Sequence, residues 1–122
     1  PRSGGVGCGG RGRSLRSECR MPGADANPYL AFAATLAAGL DGIENETEPP
    51  PSVVGDAYGM AELPSVPLTL NEAIGALEAS DWMRHVFGED VVNHYLHFFR
   101  TEQRQFDQVV TDWERARYFE RA

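Results

Sequence analysis

Five residues in a row, Arg16-Ser17-Glu18-Cys19-Arg20, hold the most chemistry in this sequence. Side chains alternate across an extended strand, so Arg16, Glu18 and Arg20 share one face and Ser17 and Cys19 the other. Two guanidiniums then flank one carboxylate. A carboxylate oxygen is a hard donor suited to magnesium or manganese. Guanidinium forks match phosphate and carboxylate oxygens two at a time. Such a row suits a polyanion held together with a divalent cation, as phosphoryl transfer requires, because the protein's work there is to position groups and stabilise spreading negative charge. One carboxylate does not make a metal site, so further ligands must come from outside this chain. The competing reading is structural: a solvated strand face with cross-strand ion pairs, each worth little.

Other candidates carry weaker signals. His94 and His97 are three apart and share a helix face, but no carboxylate pattern joins them, and a surface or packing role is expected. His85 has no specific pattern around it. Cys19 lies on the face of the strand opposite the charged row and is expected to be packed and unreactive. With Cys8 it makes neither a disulfide framework nor a metal pattern. Residues 4–13 superficially suggest a phosphate-cradling loop or an Arg-Gly RNA-binding segment. The first lacks its Gly-Lys-Ser/Thr, since the chain contains no lysine, and the second usually repeats over a longer tract.

The elements that must position these residues are legible in outline. Half of residues 1–12 are glycine, which favours loop or irregular strand. The alternation runs from Leu15 to Met21 and stops at Pro22-Gly23. Asn27-Pro28 predicts a helix start, with a capping side chain followed by proline in the first turn. The helix should run from Pro28 to Glu44; apolar on nearly every side, it is expected to be buried, with Gly39 and Gly42 allowing a neighbouring element to approach. Residues 44–67, acidic and proline-rich, read as a surface loop with Val53, Val54 and Tyr58 as its few apolar anchors. Thr69-x-x-Glu72 is a capping box for a helix to about Ala79, Ser80 caps a short turn to Gly88, and Glu89 opens the longest helix. Along it Val92, Tyr95, Leu96, Phe99, Phe106, Val109 and Val110 recur at helical spacing and should form core. Thr111-x-x-Glu114 is a second capping box, opening a terminal helix with Trp113, Tyr118 and Phe119.

Charge is divided unevenly. Of 122 residues, the first twenty hold five arginines against one glutamate, and the rest six arginines against seventeen acids, for a net charge of −7. That acidic bulk argues against a general nucleic-acid binder. No apolar run is long enough to cross a membrane, and a reducing cytoplasm is the expected location. The chain begins at Pro1 with no apolar signal segment ahead of the first motif, and is expected to be a fragment.

From Arg16-Ser17-Glu18-Cys19-Arg20 through Pro22-Gly-Ala-Asp-Ala-Asn-Pro-Tyr-Leu30 and on to Ala-Gly-Leu-Asp-Gly-Ile-Glu44, the sequence resembles the glutamine synthetase family. The likeness is long and ungapped. It continues more loosely through Leu63-Pro64 and the later helices to Thr111-x-Trp-Glu, covering roughly residues 13–122, whereas residues 1–12 match poorly. The resemblance implies an α+β fold: one or two strands of an antiparallel sheet followed by several helices, the C-terminal portion of a larger catalytic domain, over residues 1–122.

The activity it implies is ATP-dependent ligation of glutamate with ammonia through γ-glutamyl phosphate, with Mg2+ or Mn2+, in a ring-shaped homo-dodecamer with neither membrane nor nucleic-acid partners. Glu18 would be a ligand of the metal that bridges the ATP γ-phosphate and the substrate carboxylate. Arg16 would bind nucleotide phosphate, and Arg20 the γ-carboxylate of glutamate and the acyl phosphate. Arg2 falls where the family carries another phosphate-binding arginine. Five residues on, where the family usually has a further arginine, this chain has Gly7. Tyr58 lies near a tyrosine that some members adenylylate, without the flanking Asp-Leu-Pro-Pro. Residues 22–30 and the ending from Trp113 to Glu120 are also similar to branches of the family that act on polyamines such as putrescine. A non-catalytic assembly module is the alternative of another class, which Gly7 favours. The isolated 122-residue piece is expected to be inactive.

Overall fold

The computed structural model describes residues 5–51, 65–119 and 121. It contains a two-stranded antiparallel sheet and five α-helices, an α+β arrangement. They fall into two compact units, residues 1–66 and 67–122. Arg2, Val53, Val54, Tyr58 and Leu63-Pro64 lie outside the described residues.

In the first unit, strand β1 (Val6–Gly9) pairs with β2 (Arg16–Cys19). The strand predicted from Leu15 to Met21 is therefore present but shorter. A single 3-10 turn at Gly12–Ser14 closes the hairpin, held by the Ser14 hydroxyl donating to the Arg11 carbonyl at 2.8 Å. Gly10 makes that closure possible. Its φ is +88°, and a Cβ there would stand 2.0 Å from the Ser14 carbonyl oxygen, so no other residue fits.

Helix α1 (Pro28–Glu44) keeps the predicted bounds. The Tyr29 and Leu30 amides donate to the Asn27 side-chain oxygen at 3.0 and 3.4 Å, satisfying two of the orphan donors of its first turn. The expected burial is overturned: no residue of α1 is buried, and Tyr29, Phe32, Leu36, Leu40 and Ile43 form an exposed apolar stripe. Nor does anything come within 4 Å of a Cβ placed at Gly39 or Gly42. The reason is the lack of a partner: among the described residues of its unit, the hairpin strands pair with each other and no comparable packing covers the helix.

The second unit owns the core. Helix α2 (Leu70–Glu78) opens on the predicted capping box: the Glu72 amide donates to Thr69 Oγ1 at 3.2 Å and the Thr69 amide to Glu72 Oε2 at 3.3 Å. Helix α3 (Asp81–Phe87) starts from Ser80, whose Oγ accepts the Met83 amide at 3.2 Å. Gly88, at φ +83°, ends α3 and admits the turn into α4 (Glu89–Asp107). Ile74, Val92 and Leu96 are buried, with Leu77, Met83, Phe87 and Phe99 packed around them. The predicted stripe is thus core only over its first half; Phe106, Val109 and Val110 are exposed, the two valines lying past the helix end. Polar ties reinforce the packing. Arg84 of α3 pairs with Glu89 and donates to Asn93 Oδ1 at 3.2 Å and to the Glu78 carbonyl at 3.3 Å. Arg100 of α4 pairs with Glu78 of α2. Helix α5 (Asp112–Tyr118) begins at the second capping box, its Thr111 amide donating to Glu114 Oε2 at 2.8 Å.

Candidate functional site

The hairpin presents the charged row as the alternation requires, and its register adds what flanks it. Gly9 stands opposite Arg16 and Gly7 opposite Glu18, while the Arg20 amide donates to the Gly5 carbonyl at 2.7 Å. Directly opposed residues of an antiparallel pair lie on the same face. Each charged side chain of β2 therefore faces a glycine across the ladder. A Cβ at Gly7 or Gly9 would meet nothing within 4 Å. The result is a row of two guanidiniums and one carboxylate. Gly5, opposite Arg20, is covered by the Met21 side chain, whose sulfur would lie 2.5 Å from a Cβ there, so the bare backbone open to a ligand lies beside Arg16 and Glu18. The other face carries Val6 against Cys19 and Cys8 against Ser17.

Within the row, Arg20 Nε donates to Glu18 Oε1 at 3.0 Å, and the side chains are 33% and 60% exposed. An ion pair so exposed contributes about 0–1 kcal/mol to stability, so folding alone gives weak reason for the pair. Arg16 forms no ion pair among the described residues. The row's net charge of +1 suits a ligand more negative than itself.

A divalent cation fits this surface only in part. Glu18 is a hard oxygen donor with an exposed carboxylate, but among the described residues no three His, Cys, Asp or Glu side chains come together to hold a metal ion. Glu18 can supply one donor of a shared set. His85, His94 and His97 are exposed, the His94 ring meeting Tyr95 edge-on at 5.3 Å. The expectation that Cys19 is packed is overturned: Cys8 and Cys19 are both free and exposed, because nothing among the described residues covers the back of the hairpin. The glycine-rich start reads as loop or irregular strand, and the structure makes Gly7 and Gly9 part of β1; the period of two at positions 5, 7 and 9 is itself a strand signal. It was masked because glycine leaves no apolar–polar alternation to see.

Residues 6–118 match the glutamine synthetase catalytic domain. The chain belongs to the glutamine synthetase family. It is similar to the gamma-glutamylethanolamide synthetase of Streptomyces coelicolor, 51% identical over 112 residues that make up 92% of this chain and 24% of that protein. It is also similar to the glutamate–isopropylamine ligase of a Pseudomonas species, at 40% identity over 89% of this chain and 24% of the relative. The glutamine synthetase of Methanocaldococcus jannaschii is 37% identical over 88% of this chain and 25% of that enzyme. The chain thus spans about a quarter of the length of these curated relatives.

Proposed function

We propose that the chain is the C-terminal portion of the catalytic domain of an ATP-dependent glutamate–amine ligase, and that β2 forms one wall of its active site. The observation that carries this reading is the Arg16–Glu18–Arg20 row standing against the glycines of β1 in a chain of this family. Arg16 holds a nucleotide phosphate through paired hydrogen bonds. Arg20 receives the γ-carboxylate of glutamate, and its fixed positive charge stabilises the phosphoryl group as it moves onto that carboxylate. Glu18 would give one oxygen to a magnesium or manganese ion, which would supply charge neutralisation on the phosphates when bound, and it keeps Arg20 aligned through their contact. Arg2 is a further phosphate contact on family grounds alone. The remaining metal ligands lie on other parts of the protein, which works as a cytoplasmic ring-shaped oligomer.

For the second substrate we favour a small primary amine. The two relatives named for ethanolamide and isopropylamine products or substrates share 51% and 40% identity with this chain, against 37% for a glutamine synthetase. Ammonia stays as the alternative second substrate, and polyamines such as putrescine are larger members of the amine class. The test is phosphate release from ATP by the full-length protein with glutamate and magnesium, offered ammonium, ethanolamine, isopropylamine or putrescine in parallel. Fastest release with one of the amines is expected; fastest release with ammonium returns the reading to glutamine synthesis.

Gly7 favours a second reading, a non-catalytic relative that serves assembly. It stands directly opposite Glu18, where the family usually places an arginine, so a cation is missing beside the proposed phosphate site. A Cβ at Gly7 meets nothing within 4 Å, so the backbone admits a side chain there and Gly7→Arg can be made. In an active ligase that change should lower the KM for ATP several-fold. A folded, oligomeric protein that releases no phosphate with any amine would establish the assembly role instead.

A further inference from the structure

At its Arg20 end the charged row meets a side chain that the ligase reading does not use. The Arg20 amide donates to the Gly5 carbonyl at 2.7 Å, and a Cβ on Gly5 would stand 2.5 Å from Met21 Sδ and 3.5 Å from Met21 Cγ. Strict alternation from Leu15 sends Met21 to the face of Cys19. Instead, past the end of β2 at Cys19, its thioether lies against the glycine opposite Arg20. We propose that Met21 is a specificity-determining residue of the ligase, its thioether receiving the alkyl group of a short-chain primary amine. The inference rests on the roles proposed above for Arg16 and Arg20.

The chemistry of the second step says where the amine must stand. The nitrogen lone pair bonds to the γ-carbonyl carbon of the acyl phosphate, and the bond from that carbon to the phosphate oxygen breaks. Phosphate leaves with the bonding pair and takes up the proton that the nitrogen sheds. Nucleophile and leaving group are separate substituents of one tetrahedral carbon, so they occupy different sides of it. The phosphate belongs with Arg16, at the far end of the row. Arg20 leans the same way, its Nε donating to Glu18 Oε1 at 3.0 Å. The side of Arg20 away from Glu18 is left to the nucleophile, and Met21 is the side chain found there. A thioether donates no hydrogen bond and accepts only weakly, so ammonia gains little from it. An alkyl group gains by leaving water, and the unbranched, polarizable methionine chain adapts to its shape.

The experiment measures kcat/KM for isopropylamine and for ammonium with the full-length protein, ATP, glutamate and magnesium. The ratio of the two is formed within one preparation, so partial misfolding of a variant cancels from it. Met21→Gln keeps the length of the side chain and adds an amide. It should lower the ratio about tenfold or more, the scale on which an apolar site discriminates a methylene. The loss should fall on the KM for the amine rather than on that for glutamate. Met21→Leu, apolar and of similar volume, should restore most of the ratio. A ratio indifferent to Met21→Gln, or a change that falls on the KM for glutamate, overturns the inference and leaves the ligase reading standing. No phosphate release from the unaltered protein with either nucleophile overturns the ligase reading and this inference together.

Discussion

Glu18 separates two roles that a carboxylate between arginines can play. As a structural partner of Arg20 it is worth little, since the pair is exposed. In the proposed role of metal ligand it would be worth a great deal. Glu18→Gln keeps the shape and removes the charge, so urea melting should shift by less than about 1 kcal/mol. Magnesium-dependent phosphate release by the full-length protein should fall about a hundredfold or more, the scale of losing one preorganised electrostatic contact. A large loss of stability with activity retained would make Glu18 structural. Glu78 offers a different test at the same scale. Its hydrogen bond with Arg100, then the Arg100 charge, and to a smaller extent Arg84, hold its carboxyl below the usual 4.5. A carboxyl lowered in the folded state stabilises above its unfolded pKa and loses that contribution as pH falls through the folded one. Stability should therefore decline as pH drops below about 4.5, and Glu78→Gln should flatten that decline; an unchanged acid limb would remove the pair from the account.

At the scale of elements, the two capping boxes are chemically alike but differ in what they hold. Thr69 starts α2, which carries the buried Ile74; Thr111 starts α5, in which no residue is buried. Losing a threonine cap costs about 1 kcal/mol. Thr69→Ala should lower the urea midpoint of the helical unit by that amount. Thr111→Ala should fray α5 with almost no change in the midpoint, because α5 contributes no buried residue to the cooperative core. Equal effects would mean that α5 is packed in solution. The hairpin follows the same logic of local cause. Gly10 sets the turn, the turn sets the register, and the register places a glycine opposite each charged residue.

At the scale of the molecule, Ile74, Val92 and Leu96 are the buried hydrophobics among the described residues, and all three lie in the second unit. Leu96→Ala should destabilise that unit by about 2–4 kcal/mol through the cavity it leaves. Phe106→Ala, at a position 65% exposed, should cost a small fraction of that. Comparable losses would place Phe106 in contact with something beyond this chain. The described residues of the first unit form no such core, and the exposed stripe on α1 is long for a surface helix. The 122-residue chain melted alone should unfold gradually; a single sharp transition would contradict its reading as part of a larger domain.

Local rules determined most of what the sequence shows by itself. The charged row, the Asn27 cap, both Thr-x-x-Glu boxes, the Gly88 break and the start of the long helix depend on residues within a few positions of one another. Such interactions form wherever the chain is placed. The family, too, was legible in the residues from Arg16 to Glu44. Burial was not, because it depends on what lies across from a side chain. The apolar periphery of α1 and the position of Cys19 implied cover that the described residues do not supply, and the stripe on α4 is core only as far as α2 and α3 reach. Only the tertiary structure revealed the glycines facing Arg16, Glu18 and Arg20, since a register joins residues that no local pattern relates.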